Sequence, residues 1–204
     1  TETSQLHLLD GLDLGVATGR VLVVDDPSYD AALAAHRDAP LPAVDVDPAS
    51  ILLLLFTSGT SGAPKAVITS SGRLLDVATT MGRITGLAPD DVTYISMPLF
   101  HSNALFTAWA PSIVAGAAVA PRRTFSASGF LADVRRYGAT YFNYVGRPLA
   151  YILATPEQPD DADNTLRRGY GNEGSEADIA RFAQRFGCTL TDGYGQTEMG
   201  AAIV

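Results

Sequence analysis

The chain has 204 residues, of which 47% are hydrophobic and 18% charged, a globular composition that excludes a disordered chain. Its 14 basic against 22 acidic residues give a net charge of -8, and no basic run exceeds two residues, so nucleic acid is not an expected partner. The one cysteine, Cys188, excludes an internal disulfide and a cysteine-based metal cluster.

Residues 1–19 are polar, glycine-rich and weakly patterned. Residues 21–24 predict a short strand ending at Asp25-Asp26-Pro27, and residues 28–38 a helix capped by Ser28. Residues 39–50 hold three prolines among turn formers and read as a linker. Residues 51–56, Ile-Leu-Leu-Leu-Leu-Phe, form the unbroken apolar run expected of a buried strand. After a Gly/Ser/Thr loop, residues 65–69 predict a second strand. Ser70 or Ser71 caps a helix running to about residue 84, and Gly86 and Pro89 end it. The alternation continues with a strand over 92–97, an apolar helix over 102–115 kinked at Pro111, and a strand over 117–120. A helix over 128–137 stops at Gly138. A strand over 140–145 and a helix over 148–154 lead into an acidic, proline-rich loop. A strand over 168–171, a helix over 177–186 capped by Ser175, and a strand over 188–191 complete the series. Strands alternating with helices predict an α/β fold with mostly parallel sheets flanked by helices. No apolar stretch reaches the ~20 residues of a membrane-spanning helix, and no signal peptide opens the chain. With the lone cysteine, this predicts a reducing, cytoplasmic location, with membrane association left open.

Three loops could carry chemistry. Thirteen of the fourteen basic residues are Arg; the only Lys, Lys65, closes the segment Thr57-Ser-Gly-Thr-Ser-Gly-Ala-Pro-Lys65. Two glycines, four hydroxyls and an ammonium suit a polyphosphate: close backbone approach, hydrogen-bond donors and positive charge. An ordinary Ser/Gly turn has the same composition. The spacing is not that of the G-x-x-x-x-G-K-[ST] loop, nor of a G-x-S-x-G elbow. The second loop, Gly169-Tyr-Gly-Asn-Glu-Gly174, literally matches G-x-G-x-x-G, but the segment before it, Asn164-Thr-Leu-Arg-Arg168, is not an apolar strand. The third is Asp192-Gly-Tyr-Gly-Gln-Thr-Glu198. Its Tyr194 offers a flat face to a base, Thr197 a donor to an oxyanion, and Glu198 a ligand to a hard cation. Alone, it also reads as a glycine-rich turn with a solvated acid.

Together these loops resemble the signatures of the adenylate-forming superfamily, which includes acyl-CoA synthetases, luciferases and the adenylation domains of peptide synthetases. The resemblance begins near residue 50 and runs to the end of the chain. It implies a carboxylate that attacks the α-phosphate of ATP to give an acyl-adenylate, and a thiol, usually of CoA, that then displaces AMP. By this resemblance Thr57, Ser58, Gly59, Thr60, Ser61 and Gly62 wrap the β- and γ-phosphates, and Lys65 closes the loop. Tyr194 and Gly195 face adenine opposite the backbone of Gly171, Asn172 and Glu173. Thr197 contacts the α-phosphate, and Glu198 holds Mg²⁺. Lys65, Thr197 and Glu198 are the implied catalytic residues, and ATP (AMP), Mg²⁺ and CoA the implied cofactors.

In Met97-Pro-Leu-Phe-His-Ser-Asn103, His101 stands where amino-acid-activating members carry an Asp, which implies an apolar acid. The segment Tyr141-Phe-Asn-Tyr-Val-Gly-Arg-Pro-Leu-Ala-Tyr-Ile-Leu153, followed by a Pro/Asp/Asn loop, resembles the very-long-chain or fatty-acid-transport type of acyl-CoA synthetase. This implies an acyl pocket of His101, Tyr144, Val145, Gly146 and Leu149; core packing explains the same aromatics residue by residue.

Full-length members continue with a ribose-binding Asp, a hinge and a lid carrying a catalytic Lys, none of which this chain contains. The resemblance therefore implies that residues 50–204 are the central part of an ATP- and acyl-binding domain within a protein of roughly 500 residues. Residues 1–49 are a segment and linker it does not place, the C-terminal lid is absent, and this piece alone is inactive. The expected partners are a fatty acid, ATP and CoA, without nucleic acid or transmembrane segment; homo-oligomerisation stays open. Three other readings stand beside this one: a fatty acyl-AMP ligase that loads a carrier protein, a dinucleotide-binding oxidoreductase domain built on residues 169–174, and a non-catalytic lipid-binding relative.

Overall fold

The computed structural model describes residues 1–15, 20–57 and 64–198 and the backbone of 202–203. The chain divides into two compact units, Thr1–Asp45 and Val46–Val204. In the first, a 3-10 helix spans Thr3–Leu9 and α1 spans Pro27–Ala34. The cap of α1 is Asp26, not Ser28. Its carboxylate accepts the Ser28 N–H at 2.8 Å, and Pro27 takes the first helical position, where no N–H is needed. Residues 21–24, expected as a strand, are irregular. They are held by the terminal ammonium on the Leu22 carbonyl and by the Val24 N–H on the Thr1 carbonyl, each at 2.9 Å.

The second unit opens with an antiparallel hairpin of β1 (Ile51–Thr57) and β2 (Lys65–Ser70), in which Thr57 lies opposite Lys65. β1 is not the buried strand that its composition predicts. Leu55 is buried, but Leu52, Leu54 and Phe56 are exposed, Phe56 at 68%. Among the described residues only one face of the hairpin is covered. Leu55, with Leu53 and Val67, packs on α2 (Ser71–Thr85) and on the helix that follows β3. Ser70 caps α2 by accepting the Arg73 N–H at 3.2 Å, and Gly86 ends it at φ +63°.

The remaining strands form one parallel sheet: β3 (Val92–Ile95), β4 (Ala118–Pro121), β5 (Tyr141–Val145), β6 (Arg168–Asn172) and β7 (Thr189–Asp192), in the order β4-β3-β5-β6-β7. Side chains alternate across it. On one face Tyr94, Phe142, Tyr144 and Leu190 pack with α4 (Phe130–Tyr137), α5 (Gly146–Leu153) and α6 (Glu176–Phe186). Phe130 meets Tyr94, Phe142, Phe182 and Phe186 edge-on at 5.7, 5.2, 5.8 and 6.0 Å, the arrangement that ring quadrupoles favour. On the other face Ile95, Tyr141 and Tyr170 pack under Met81 of α2 and under Ala104 and Ala108. The helix after β3 opens as a π-helix, Ala104–Trp109, and continues as α3, Ala110–Ala115. The wide turns accommodate Pro111 without breaking the helix. Pro111 has no N–H to give the Thr107 carbonyl, and the Tyr141 hydroxyl fills that acceptor at 2.6 Å. A short pair, β8 (Tyr194–Gly195) with β9 (Ala202–Ile203), closes the described chain. Among the described residues no helix is long and apolar enough to cross a membrane.

Candidate functional site

The strand order reverses direction between β3 and β5. From β3 the chain moves out to β4, then returns past β3 to β5, β6 and β7. In an open parallel sheet such a reversal leaves a crevice at the carboxyl ends of the strands. Four loops meet there: residues 96–103 after β3, Val145–Gly146 after β5, Asn172–Gly174 after β6, and Gly193–Glu198 after β7. The loop of Tyr194 and Glu198 therefore lies beside the glycine-rich end of β6 and beside His101.

The glycines of residues 169–174 are explained by packing. Phe142 pairs with Gly169 and Tyr144 with Gly171 across β5 and β6. A Cβ on Gly169 would lie 2.6 Å from the Phe142 ring, and one on Gly171 would lie 2.4 Å from the Tyr144 ring and carbonyl. Both glycines sit within a strand, not in a strand-to-helix turn, so the dinucleotide fingerprint is not formed. Beyond β6 the backbone turns sharply. Glu173 adopts φ +63°, a region costly for a residue with a side chain, and a Cβ on Gly146 would fall 1.8 Å from the Glu173 carbonyl oxygen. The Asp192 carboxylate fastens this turn to β7, accepting the Gly174 N–H at 2.7 Å and the Tyr144 hydroxyl at 3.3 Å.

The residues after β7 face outward. Tyr194 is 57% exposed, and Gly193 donates its N–H to the Gly171 carbonyl at 2.9 Å. Thr197 is held from two sides. Its hydroxyl lies 3.0 Å from Ser102 Oγ, and its carbonyl accepts from Arg73 at 3.1 Å. Arg73 also donates to the Glu198 carbonyl, which leaves the Glu198 carboxylate exposed. Arg73 stands in the first turn of α2, directly after β2. One guanidinium thus ties the helix behind the Thr57/Lys65 hairpin to a turn 124 residues further on.

The expected site residues fall into three groups. Thr57 and Lys65 face each other at the loop end of the hairpin, while Ser58, Gly59, Thr60, Ser61 and Gly62 lie outside the described residues. Gly171, Asn172, Glu173, Tyr194, Gly195, Thr197 and Glu198 gather at the carboxyl ends of β6 and β7, and His101 lies on the loop after β3. His101 is exposed, and its Nδ1 accepts the Asn103 N–H at 3.2 Å. Tyr144 and Leu149, expected in an acyl pocket, are core residues of the α4–α6 face. Burial and the neighbouring Asp192 push the Tyr144 phenol well above the ordinary range, and its one hydroxyl proton is shared between the Thr191 carbonyl at 3.0 Å and that carboxylate. At this end of β5 that leaves Val145 and Gly146 partly accessible. Sequence reasoning missed Arg73, Asn103, Asn143 and the fastening role of Asp192. No local pattern marks them, because the partners that define these roles lie far away in the sequence.

The chain is 56% identical over 180 residues to a medium/long-chain-fatty-acid–CoA ligase, FadD17, of Mycobacterium tuberculosis, an alignment covering 88% of this chain and 36% of that protein. It is 50% identical over 204 residues to steroid-22-oyl-CoA synthetase of Rhodococcus jostii, covering 100% of this chain and 37% of the relative. The chain thus spans little more than a third of the length of these relatives. The N-terminal domain of FACL13 from Mycobacterium tuberculosis superposes with a TM-score of 0.70 at 22% identity, over 84% of this chain and 44% of that one, a likeness of fold alone. The model of the AMP-binding enzymes matches residues 2–204, which extends the resemblance well before the expected start near residue 50. With that match across nearly its whole length, the chain belongs to the AMP-binding enzyme family.

Proposed function

We propose that the protein of which this chain is part is a fatty-acid–CoA ligase. The fatty carboxylate attacks the α-phosphate of ATP and expels pyrophosphate; the thiol of CoA then attacks the acyl carbon of the acyl-adenylate and releases AMP. The observation that carries this reading is the Arg73 bridge. It ties the first turn of α2, which follows the strand that Lys65 opens, to the Thr197–Glu198 turn, and this supports a reading in which both loops serve one nucleotide. Such a reaction needs alignment and charge neutralisation more than covalent help from the protein.

In this reading Thr57 and Lys65, with residues 58–62, bind the β- and γ-phosphates, Thr197 the α-phosphate, and Tyr194 the adenine face. Gly171, Asn172, Glu173 and Gly195 frame the base. The donor chemistry fits Mg²⁺: a single exposed carboxylate, Glu198, suits an ion that keeps its waters and takes phosphate oxygens as further ligands. When bound, the ion neutralises phosphate charge. His101 spends Nδ1 on Asn103, which leaves Nε2 to orient the substrate carboxylate at the mouth of an acyl passage bounded by Val145 and Gly146. Residues 50–204 act as the central part of the ATP- and acyl-binding domain. The relatives are named for fatty acids and for a steroid-22-oyl group, both large apolar acids, and the absence of an Asp at position 101 accords with that class.

The test is ATP–pyrophosphate exchange by the full-length protein with palmitate, and with a steroid side-chain acid as comparison. Glu198→Ala is expected to abolish exchange while keeping the thermal unfolding temperature; retained exchange would refute its role. Lys65→Ala is expected to raise the ATP KM, and an unchanged ATP KM and kcat would make Lys65 an ordinary surface residue. Release of the acyl group to CoA, not to a phosphopantetheine carrier protein, separates this ligase from a carrier-loading one.

A further inference from the structure

Three asparagine amides form a chain across the carboxyl ends of β5, β3 and β6. Asn143 on β5 donates through Nδ2 to Asn103 Oδ1 at 2.7 Å. Asn103, just before the π-helix, donates through Nδ2 to Asn172 Oδ1 at 2.7 Å and to the Tyr144 carbonyl at 3.3 Å. Asn172, at the end of β6, donates through Nδ2 to the Gly193 carbonyl. The bonds from Asn143 to Asn103, Asn103 to Asn172 and Asn172 to Gly193 all run the same way, from β5 toward the turn after β7.

That direction is imposed by the ends of the chain. A backbone carbonyl can only accept, so Asn172 must turn Nδ2 toward Gly193, and Asn103 must turn Nδ2 toward Tyr144. Asn172 Oδ1 and Asn103 Oδ1 are then the inner acceptors, and Asn143 has to donate. The cost collects at the start of the chain, where the buried Asn143 Oδ1 has no hydrogen-bond partner among the described residues. What it secures is Gly193. Its N–H is held by the Gly171 carbonyl and its C=O by the Asn172 amide, so both peptide groups flanking Gly193 are tied to the end of β6. Those peptides set the direction in which Tyr194 leaves the sheet.

We propose that Asn103 is a positioning residue for the adenine nucleotide. It fixes the Asn172 amide, which fixes Gly193 and through it the ring of Tyr194. Asn103 is 6% exposed, and in this proposal it acts through Asn172 rather than on the base itself. The inference rests on the reading above, in which Tyr194 faces adenine.

The test uses the full-length protein, ATP–pyrophosphate exchange with palmitate, and AMP binding by calorimetry. Asn103→Asp is isosteric but cannot donate. The Asn172 amide then rotates to donate to it and turns its oxygen toward the Gly193 carbonyl. Asn172→Asp keeps the acceptor toward Asn103 and loses the donor to Gly193. Each variant is expected to raise the ATP KM about tenfold while the palmitate KM stays within about twofold. In a double-mutant cycle the two effects should not add. If Asn103→Asp does not fold, Asn103→Ser, too short to reach the Asn172 amide, decides the matter: a raised ATP KM with the palmitate KM kept upholds the positioning role. A folded variant with an unchanged ATP KM, or with equal losses for ATP and palmitate, overturns the positioning role alone. A wild-type protein that neither exchanges pyrophosphate nor binds AMP overturns the functional reading, and this inference with it.

Discussion

Arg185 lies near the end of α6 with its side chain 7% exposed and pairs with Asp161 at 2.6 Å. Its guanidinium also donates to the carbonyls of Ile152 and Leu153 at 3.3 Å and of Thr155 and Pro156 at 3.0 Å, binding the end of α5 to α6. Arg185→Met leaves a buried carboxylate uncompensated and is expected to cost about 3–5 kcal/mol in urea unfolding. A loss below about 1 kcal/mol, the range of exposed pairs, would show the pair to be solvent-screened. Asp91 is the second such group. Burial raises its pKa, but hydrogen bonds from Thr140, from the Ala88 N–H and from Arg168 outweigh this and hold it below the ordinary carboxylate range. Asp161 is lowered in the same way, burial being outweighed by the Gln158 N–H and Arg185. A depressed carboxylate stabilises the fold above its unfolded pKa, and that contribution disappears as pH falls through the folded one. Stability is therefore expected to drop below about pH 4, and Asp91→Asn should flatten the acid limb of the unfolding curve. At Glu173 the left-handed backbone makes Glu173→Gly neutral or stabilising by about 1 kcal/mol, whereas Gly146→Ala, with no room for a Cβ, should unfold this corner. Both are read by thermal melts. Burial pushes the Cys188 thiol up to about 12, so it should stay unmodified by iodoacetamide at neutral pH while the protein is folded.

At the scale of elements, the periodic segments were legible. Every strand expected after residue 50 forms, and the helix stops at Gly86, Gly138 and Gly187 coincide with left-handed glycines. Local rules suffice there because caps and stops are made within one turn of chain. The helix after β3 was legible only in extent. Pro111 suggested a kink, yet the structure absorbs it as a π-helix, because Tyr141, on a distant strand, supplies the donor that proline lacks. Tyr141→Phe should therefore cost about 1–3 kcal/mol by leaving the Thr107 carbonyl unpaired. Pro111→Ala in that background should recover part of it, since the new N–H can serve the same carbonyl. Strictly additive losses in the two-residue cycle would show that the hydroxyl and the proline are unrelated.

For the whole molecule, the sheet order places the candidate site. The return past β3 puts the loops after β3, β5, β6 and β7 at one edge, where His101, Glu173, Tyr194 and Glu198 come together from separate stretches of sequence. Residues 39–45 hold two prolines before the boundary between the compact units at Asp45. Brief subtilisin treatment is expected to cut first in that segment; a first cut within residues 65–192 would show that the parallel sheet is the weaker part.

The sequence by itself determined the α/β alternation, the positions of the candidate loops and the residue types they carry, because these are set by local periodicity, turn chemistry and spacing. It did not determine which strands pair or which polar groups meet. The same apolar run reads as a buried strand whether one face or both are covered, and β1 proved exposed at Leu52, Leu54 and Phe56. The same G-x-G pattern reads as a phosphate turn or as room for neighbouring rings, and only the register of Phe142 and Tyr144 over Gly169 and Gly171 decided for the rings. Arg73, Asn103 and Asp192 acquire their partners across 124, 69 and 18 residues, distances at which only the tertiary structure brings hydrogen-bonding groups within 3 Å or so.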